Sequence, residues 1–428
     1  MRHKRKFVLS LAMICVPALF PVAGGLRCRD NYSAHVQEEE ILRLTPGTSY
    51  YEYQWGLKNT GIIQRIVSVY ETEQNPDAVR ADSGSGSAEG PGAESGLPSG
   101  PDSGRDGKEI HRQVTDSVEG IDIEMERAWS VYEKTTERRN VTVALIDTGV
   151  DTDHEELRNS IWVNEGEIPG DGIDNDQNGY VDDVNGWNFY SGTGQIFFGG
   201  EDDHGTHGAG TIAAAWDGQG IAGIADGGYV KIMVLKVLGS DDGNGTSANV
   251  KNAIRYARDH GADICNLSMG TLTYDEEMEQ LIRESSMLFV ISAGNGDAAG
   301  KGYDIDALPM YPASCPSDNI ISVGNLLFDG SLDESSNYGA VSVDVAAPGA
   351  YILSTVPGGY GFMTGTSMSA PMVTGTAALV YSCRTDLDLM GVRDAILGSA
   401  RKMEGLEGKV ATGGMLNAYG AITWGRQE

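Results

Sequence analysis

Beyond residue 140, short uninterrupted apolar runs alternate with longer stretches whose apolar residues recur at helical spacing. VTVALID at 141–147, KIMVLKVL at 231–238, DICNLSMG at 263–270, LFVISAGN at 288–295 and NIISVGN at 319–325 are rich in Val, Ile and Leu, and most end in Gly, Asn or Asp. Runs of that kind predict parallel strands covered on both faces. Between them, THGAGTIAAA at 206–215, NVKNAIRYARDHG at 249–261 and the residues near Glu276 to Met287 predict helices. The alternation predicts an α/β fold in three layers, a largely parallel central sheet with helices on both faces. No solenoid-type repeat is present.

Two further helical stretches have distinct characters. GIDIEMERAW at 120–129 reads as the first helix entering the domain. SMSAPMVTGTAALVYS at 367–382 is apolar or small around its whole circumference, which predicts a buried helix with Pro371 in its first turns, where a missing N–H costs least.

The ends of these elements carry the chemistry. Asp147 closes the run VTVALID, so its carboxylate falls at the C-terminal end of a central strand, where open α/β sheets hold reacting groups. His207 lies at the start of a small-residue helix behind Gly205, and His204 three residues earlier is read as a structural hydrogen-bonding residue. Ser367 stands at the N-terminus of the buried helix, where free N–H groups and the positive dipole end favour a developing oxyanion, with Ser369 as the competing hydroxyl. A serine hydroxyl becomes a nucleophile when an imidazole takes its proton, and the imidazole needs a buried carboxylate to hold its tautomer. Ser367, His207 and Asp147 suit those three roles, although Asp147 alone also reads as a turn residue before Thr148 and Gly149.

With VALIDTGVD, DDHGTHGAG and GTSMSAP in the order Asp, His, Ser, the chain resembles the subtilisin-like serine proteases. The resemblance implies a subtilisin-like fold and a serine endopeptidase working through an acyl-enzyme. It implies that Asn295, in SAGN, donates to the oxyanion, and that the strand containing Ser268, Met269 and Gly270 pairs with an extended substrate and walls the pocket for the residue before the cut. The pocket floor is expected from residues 304–311. The family usually carries a larger aliphatic residue where this chain has Gly208. A dedicated maturation protease for one exported peptide, and a catalytically silent calcium-binding protein on the same fold, are the alternatives.

DGIDNDQNGYVDD at 171–183 places Asp174, Asp176, Asn178, Asp182 and Asp183 around a turn glycine, the spacing by which hard oxygens converge on calcium, though without an EF-hand's terminal glutamate and flanking helices. An acidic surface turn is the plainer reading of the same residues. By resemblance, Glu156 and Asp217 lie where relatives carry oxygen ligands of a separate structural calcium site. Calcium is expected to stabilise loops, and no cofactor is required for the chemistry.

Composition narrows the partners. With 61 acidic and 31 basic residues in 428 and a net charge of −30, the chain disfavours a nucleic-acid role. Five cysteines do not make a disulfide scaffold at this length. Protein or peptide substrates and a monomer are expected. Residues 1–25 have a basic head, an apolar stretch and small residues at their end, the parts of a secretory signal, and are short of the roughly 20 apolar residues that span a bilayer. The expectation is a secreted protein with no stable membrane anchor, tethering by an uncleaved N-terminus being the alternative. Residues 26–49 are expected to form a short pro-segment, too short for an inhibitory propeptide domain, with the catalytic domain expected over 50–428. A Gly, Ser, Pro and acid-rich insertion at about 75–112 is expected to be disordered.

Overall fold

The computed structural model describes residues 10–11, 48–69, 108–114, 117–239, 245–297 and 299–426. Among the described residues the central sheet has nine strands. An antiparallel ribbon of β1 (Ile63–Val69) and β2 (Lys108–Val114) precedes the sheet. Of the expected insertion, residues 108–112 belong to β2, where backbone pairing with β1 orders them, and residues 75–107 lie outside the described residues.

After α1 (Met125–Lys134) come β3 (Val141–Asp147), β4 (Gly186–Asn188), α2 (Asp203–Ala213), β5 (Val230–Lys236), α3 (Ser247–Asp259), β6 (Ile264–Leu267), α4 (Glu276–Arg283), β7 (Leu288–Ser292), β8 (Ile320–Leu326) and β9 (Val345–Pro348). A hairpin of β10 (Ile352–Val356) and β11 (Gly359–Met363) leads into α5 (Thr366–Cys383), followed by α6 (Leu389–Gly398), β12 (Arg401–Lys402), β13 (Gly414–Met415) and α7 (Ala418–Thr423). The strand order is β12-β13-β9-β8-β7-β6-β3-β5-β4, and every pairing is parallel except that of β12 with β13.

Side-chain alternation along each strand divides the interior into two cores. Val143 and Leu145 of β3 and Leu288 and Val290 of β7 point to the face covered by α1, α2, α5, α6 and α7. Ala144 and Ile146, with Phe289 and Ile291, point to the face covered by α3 and α4. Both faces being apolar explains why these strands are continuous apolar runs. Helix α5 lies so deep that all its residues except Tyr381 are buried, which accounts for its lack of a polar face. Cys265, Cys315 and Cys383 are free and buried.

Two glycines permit close approaches that position the site. An ideal Cβ at Gly205 would fall 2.1 Å from the Gly149 carbonyl oxygen, and one at Gly149 would fall 2.3 Å from the Ile196 carbonyl oxygen. The turn after β3 and the first turn of α2 therefore touch through bare backbone. Gly208 is different: its Cβ would stand in ordinary contact, 3.6 Å from Pro371 Cγ and 3.7 Å from Leu145 Cδ1, so α2 and α5 leave room for a methyl there.

Leu145→Ala, which deletes side-chain volume from the core between β3 and α2, should destabilise the fold by about 2–5 kcal/mol in a denaturant titration without changing the m-value.

Candidate active site

Asp147 is nearly buried at the end of β3, and its Oδ1 accepts a hydrogen bond from the Thr148 amide at 2.7 Å. The same oxygen lies 2.7 Å from Nδ1 of His204. Helix α2 begins at Asp203, earlier than the sequence pattern predicts, so His204 falls in its first turn. One turn later the backbone carries the next imidazole into the core.

His207 is the correction this geometry imposes. Its ring is wholly buried, and its Nε2 donates to the Ile352 carbonyl of β10 at 2.8 Å. Burial, the largest influence, pushes its pKa down to about 4, so it is a neutral structural hydrogen-bonding residue. The structure therefore brings His204, and not His207, to the Asp147 carboxylate. A three-residue step on a helix places both rings on the same general face, and the depth of α2 against β10 decides which ring reaches the carboxylate.

A set of polar contacts, not foreseen from the motifs, fixes the Asp147–His204 pair. Lys236, the last residue of β5, is buried; its Nζ lies 2.6 Å from Asp202 Oδ1 and also donates to the Thr148 carbonyl. Asp202 Oδ2 accepts from the Phe198 amide at 2.6 Å. Thr206 Oγ1 donates to the Asp202 carbonyl at 2.7 Å and accepts from the Asp151 amide at 3.0 Å, while the Gly205 amide donates to Thr148 Oγ1 at 3.1 Å. The turn after β3 and the start of α2 are thus tied at several points. The signal was a lysine inside an otherwise apolar strand run, a position where a charge requires a partner.

Ser367 is the second residue of α5 and is 3% exposed. Its Oγ stands 3.4 Å from the Ser268 carbonyl, and Ser268 Oγ donates to the Ser367 carbonyl at 3.2 Å. Ser369 faces elsewhere: an ideal Cβ at Gly349 would meet Ser369 Oγ at 2.0 Å and Asn325 Oδ1 at 2.6 Å, which places that hydroxyl in the interior.

Asn295 follows β7 between two glycines of positive φ, Gly294 at 94° and Gly296 at 85°. Its Oδ1 accepts from both the amide and the hydroxyl of Thr366, each at 2.8 Å. With the oxygen so engaged, the side-chain NH2 is the end that can donate to an anion. Asn337, absent from the motif reading, secures this loop: its Nδ2 donates to the Ala293 carbonyl at 2.9 Å and its Oδ1 accepts from the Gly296 amide at 3.1 Å. It sits in a loop with no periodic pattern, which left no signal to read.

Ser268, Met269 and Gly270 continue from the end of β6 beside Ser367. The Ser268 and Met269 side chains are buried, so what the segment offers a partner is mainly backbone and the bare Gly270. Met269 also lines a cavity of about 500 Å3 with Val250, Leu267, Met278, Tyr311 and Cys315.

The acidic loop is organised differently from the expected ligand spacing. Glu167, Asp176 and Asp183 bring carboxylate oxygens within 4.8 Å of one another. Asp174 instead accepts from the Asn178 and Gly179 amides at 3.0 and 2.8 Å, and Asp182 from the Gly170 and Gly172 amides at 2.8 and 3.1 Å. Asn178 donates through Nδ2 to Asp176 and Asp183 at 3.1 and 2.9 Å. Asp174 and Asp182 thus satisfy backbone amides that the tight turns leave without partners in the ladder. Glu167 was missed because it precedes the loop; its oxygens accept from the Asn175 and Asp182 amides at 2.8 and 3.1 Å. Three carboxylates with one fully buried, Asp183, form a donor set that suits a hard divalent cation.

Glu156 and Asp217 do not belong to that cluster. Glu156 is buried, its Oε1 accepts from the Tyr360 hydroxyl at 2.7 Å, and burial raises its carboxyl to about 7. Asp217 Oδ1 accepts from the Gln219 amide at 2.9 Å.

The sequence model of the subtilase family matches residues 138–421, which span the sheet and every site residue above. The chain belongs to the subtilase family. It is 34% identical over 273 residues to the major intracellular serine protease of Bacillus subtilis, covering 63% of this chain and 76% of that one. It is 34% identical over 309 residues to an intracellular serine protease of Paenibacillus polymyxa, covering 69% and 85%. It is 32% identical over 302 residues to subtilisin-like protease 1 of Plasmodium berghei, covering 65% of this chain and 49% of that one. This subtilase is a serine-type endopeptidase that acts on protein or peptide substrates. Two of these relatives are named intracellular, which overturns the expectation of secretion; of residues 1–25, on which that expectation rested, the structure describes Ser10–Leu11 alone. No helix among the described residues is long and apolar enough to cross a membrane.

The depressed pKa of His207 sets a pH dependence. Between about pH 6.5 and about 4 the unfolded chain takes up a proton that the folded chain refuses. Its contribution is present above pH 6.5 and is lost as the pH falls towards 4, on the order of 3 kcal/mol in all. His207→Gln, which keeps a donor for Ile352, should remove this component; the difference between wild-type and variant denaturation curves across that window measures it.

Proposed function

We propose that this subtilase cleaves peptide bonds through an acyl-enzyme on Ser367, with His204 as the base. The observation that carries the assignment is the 2.7 Å contact between His204 Nδ1 and Asp147 Oδ1. With Nδ1 held by the carboxylate, Nε2 takes the Ser367 proton as Oγ attacks the scissile carbonyl, then returns it to the leaving amine. Asp147 keeps the tautomer and stabilises the imidazolium. Asn295 Nδ2 and the α5 N-terminus stabilise the oxyanion, supported by the way Thr366 engages Asn295 Oδ1. The substrate runs along Ser268–Gly270, pairing with backbone.

Calcium is assigned to Glu167, Asp176 and Asp183, where it neutralises three crowded carboxylates and holds the loop that Tyr256 closes through its 2.5 Å hydrogen bond to Asp183. The ion stabilises the fold and takes no part in the proton transfers.

His204→Ala should lower casein hydrolysis by about 10000-fold or more and slow fluorophosphonate labelling of Ser367 in parallel, whereas His207→Gln should keep activity within about tenfold of wild type. The opposite ranking would return the base role to His207. Asn295→Leu should lower kcat by about 100–1000-fold with KM little changed, the range known for the equivalent donor of subtilisin, a member of this family.

Chelation should lower the melting temperature by several degrees, with calcium restoring it, and Asp183→Asn should abolish the calcium response. Differential scanning fluorimetry with and without calcium reads both; an unchanged melting point on chelation would remove the assignment.

A further inference from the structure

Strands β3 to β9 are parallel, so all of them end on the side of the sheet that carries Asp147 and Asn295. The segments leaving this side are 148–156, 189–203, 268–278, 293–308 and 327–337; each contains acidic residues, and together they hold a single Lys or Arg, Lys301. Their carboxylates stand around the site. The Asp151 amide is bound by Thr206, two residues from His204, and Glu276 lines the same cavity as Met269. The Glu334 carbonyl accepts from the Gly302 amide at 2.8 Å, in the loop that follows Asn295 and also holds Asp304. Lys251 and Arg255 pair with Asp275 and Glu277, but among the described residues Asp151, Glu276, Asp304 and Glu334 have no cation within ion-pair distance. Beside His204 the balance is negative as well: Lys236 faces two carboxylates, Asp202 at 2.6 Å and Glu201 at 3.6 Å, and one ammonium neutralises only one of them. The Phe198 ring, 46% exposed, lies 5.4 Å from the same Nζ, and an aromatic face attracts cations in turn. Where the strands begin, acids have cations beside them: Asp259 ahead of β6 lies 2.8 Å from Arg258, Glu279 ahead of β7 lies 2.7 Å from Arg283, and Asp344 ahead of β9 lies 3.6 Å from Arg393.

We propose that this subtilase draws its substrates from cationic protein segments, recruited by the negative field of the edge that carries the site. Charge of one sign around a cleft raises the local concentration of oppositely charged chains and speeds their encounter by roughly 10 to 1000-fold at low salt. Stability does not require the asymmetry, since like charges on neighbouring loops repel and weaken the compact state. A Lys or Arg side chain arriving beside His204 meets Glu201 and Phe198, and cations farther along the same chain meet Glu276 on one side of Ser367 and Glu334 on the other. The attraction is spread over several loops and reaches across roughly 8 Å at physiological ionic strength, so it is a property of the surface and is screened by salt.

This inference rests on the serine-protease reading of Ser367, and the experiment separates the two. Two internally quenched peptide pools share one randomised core and carry either lysine or glutamate tracts at both ends; initial rates with the full-length protein, at peptide concentrations low enough to report kcat/KM, are taken at low and high salt. At about 0.02 M salt the lysine pool should be cleaved at least about tenfold faster than the glutamate pool, and at about 0.5 M salt the ratio should fall towards one. Glu276→Gln combined with Glu334→Gln, which removes two exposed carboxylates and no ion pair, should lower the low-salt ratio at least about threefold. Equal rates for the two pools at low salt, a ratio that does not move with salt, or one unmoved in the folded double variant would overturn the recruitment by charge while leaving the protease reading intact. Failure of the folded protein to cleave either pool or to label with a fluorophosphonate would remove the reading itself, and the inference with it.

Discussion

The site depends on how closely the first turn of α2 approaches the end of β3. Asp147 and His204 meet at 2.7 Å because the intervening contact is backbone on backbone, with Gly205 against the Gly149 carbonyl where any Cβ would collide. That contact needs an opposing force to hold it, since a nearly buried carboxylate at a strand end would otherwise draw in water. The force comes from Lys236, whose buried ammonium binds both Asp202, at the head of α2, and the Thr148 carbonyl, directly after Asp147. A buried ion pair contributes little net stability against an apolar alternative, but removing one partner strands a charge, so the arrangement enforces geometry.

The same approach distributes two imidazoles between two environments. Packed against β10, the inner ring of His207 loses its water and its capacity to charge at neutral pH, becoming a fixed donor to Ile352. The outer ring of His204 keeps a side chain that is 14% exposed and a carboxylate partner. Burial thus holds the His207 ring neutral, whereas the His204 ring stays partly exposed against a carboxylate.

On the opposite side of Ser367 the controlling event is the parting of β6 and β7. While paired, the two strands satisfy one another's backbone groups; beyond the pairing, the Asn295 loop depends on Thr366 and Asn337, and the Ser268 carbonyl accepts from Ser367 Oγ. The acidic loop follows a related logic at the surface: turn amides take Asp174 and Asp182 first, and the carboxylates left to face one another are those of Asp176, Asp183 and Glu167.

By itself the sequence determined the layered α/β architecture, because strands covered on both faces must be apolar without interruption and helices must repeat at their own period. It also determined the chemical types present at the site, since Asp147, Ser367 and Asn295 each sit at an element boundary marked by glycine or small residues. It did not determine which histidine faces Asp147, because His204 and His207 are three residues apart in one small-residue run and differ in burial alone. Nor could it show Glu167 joining the acidic loop, Lys236 bracing the turn or Asn337 holding the Asn295 loop. Each of these acts on residues distant in the chain, and the distances that give it a role exist only once β3, α2 and the loop around residue 337 are packed together.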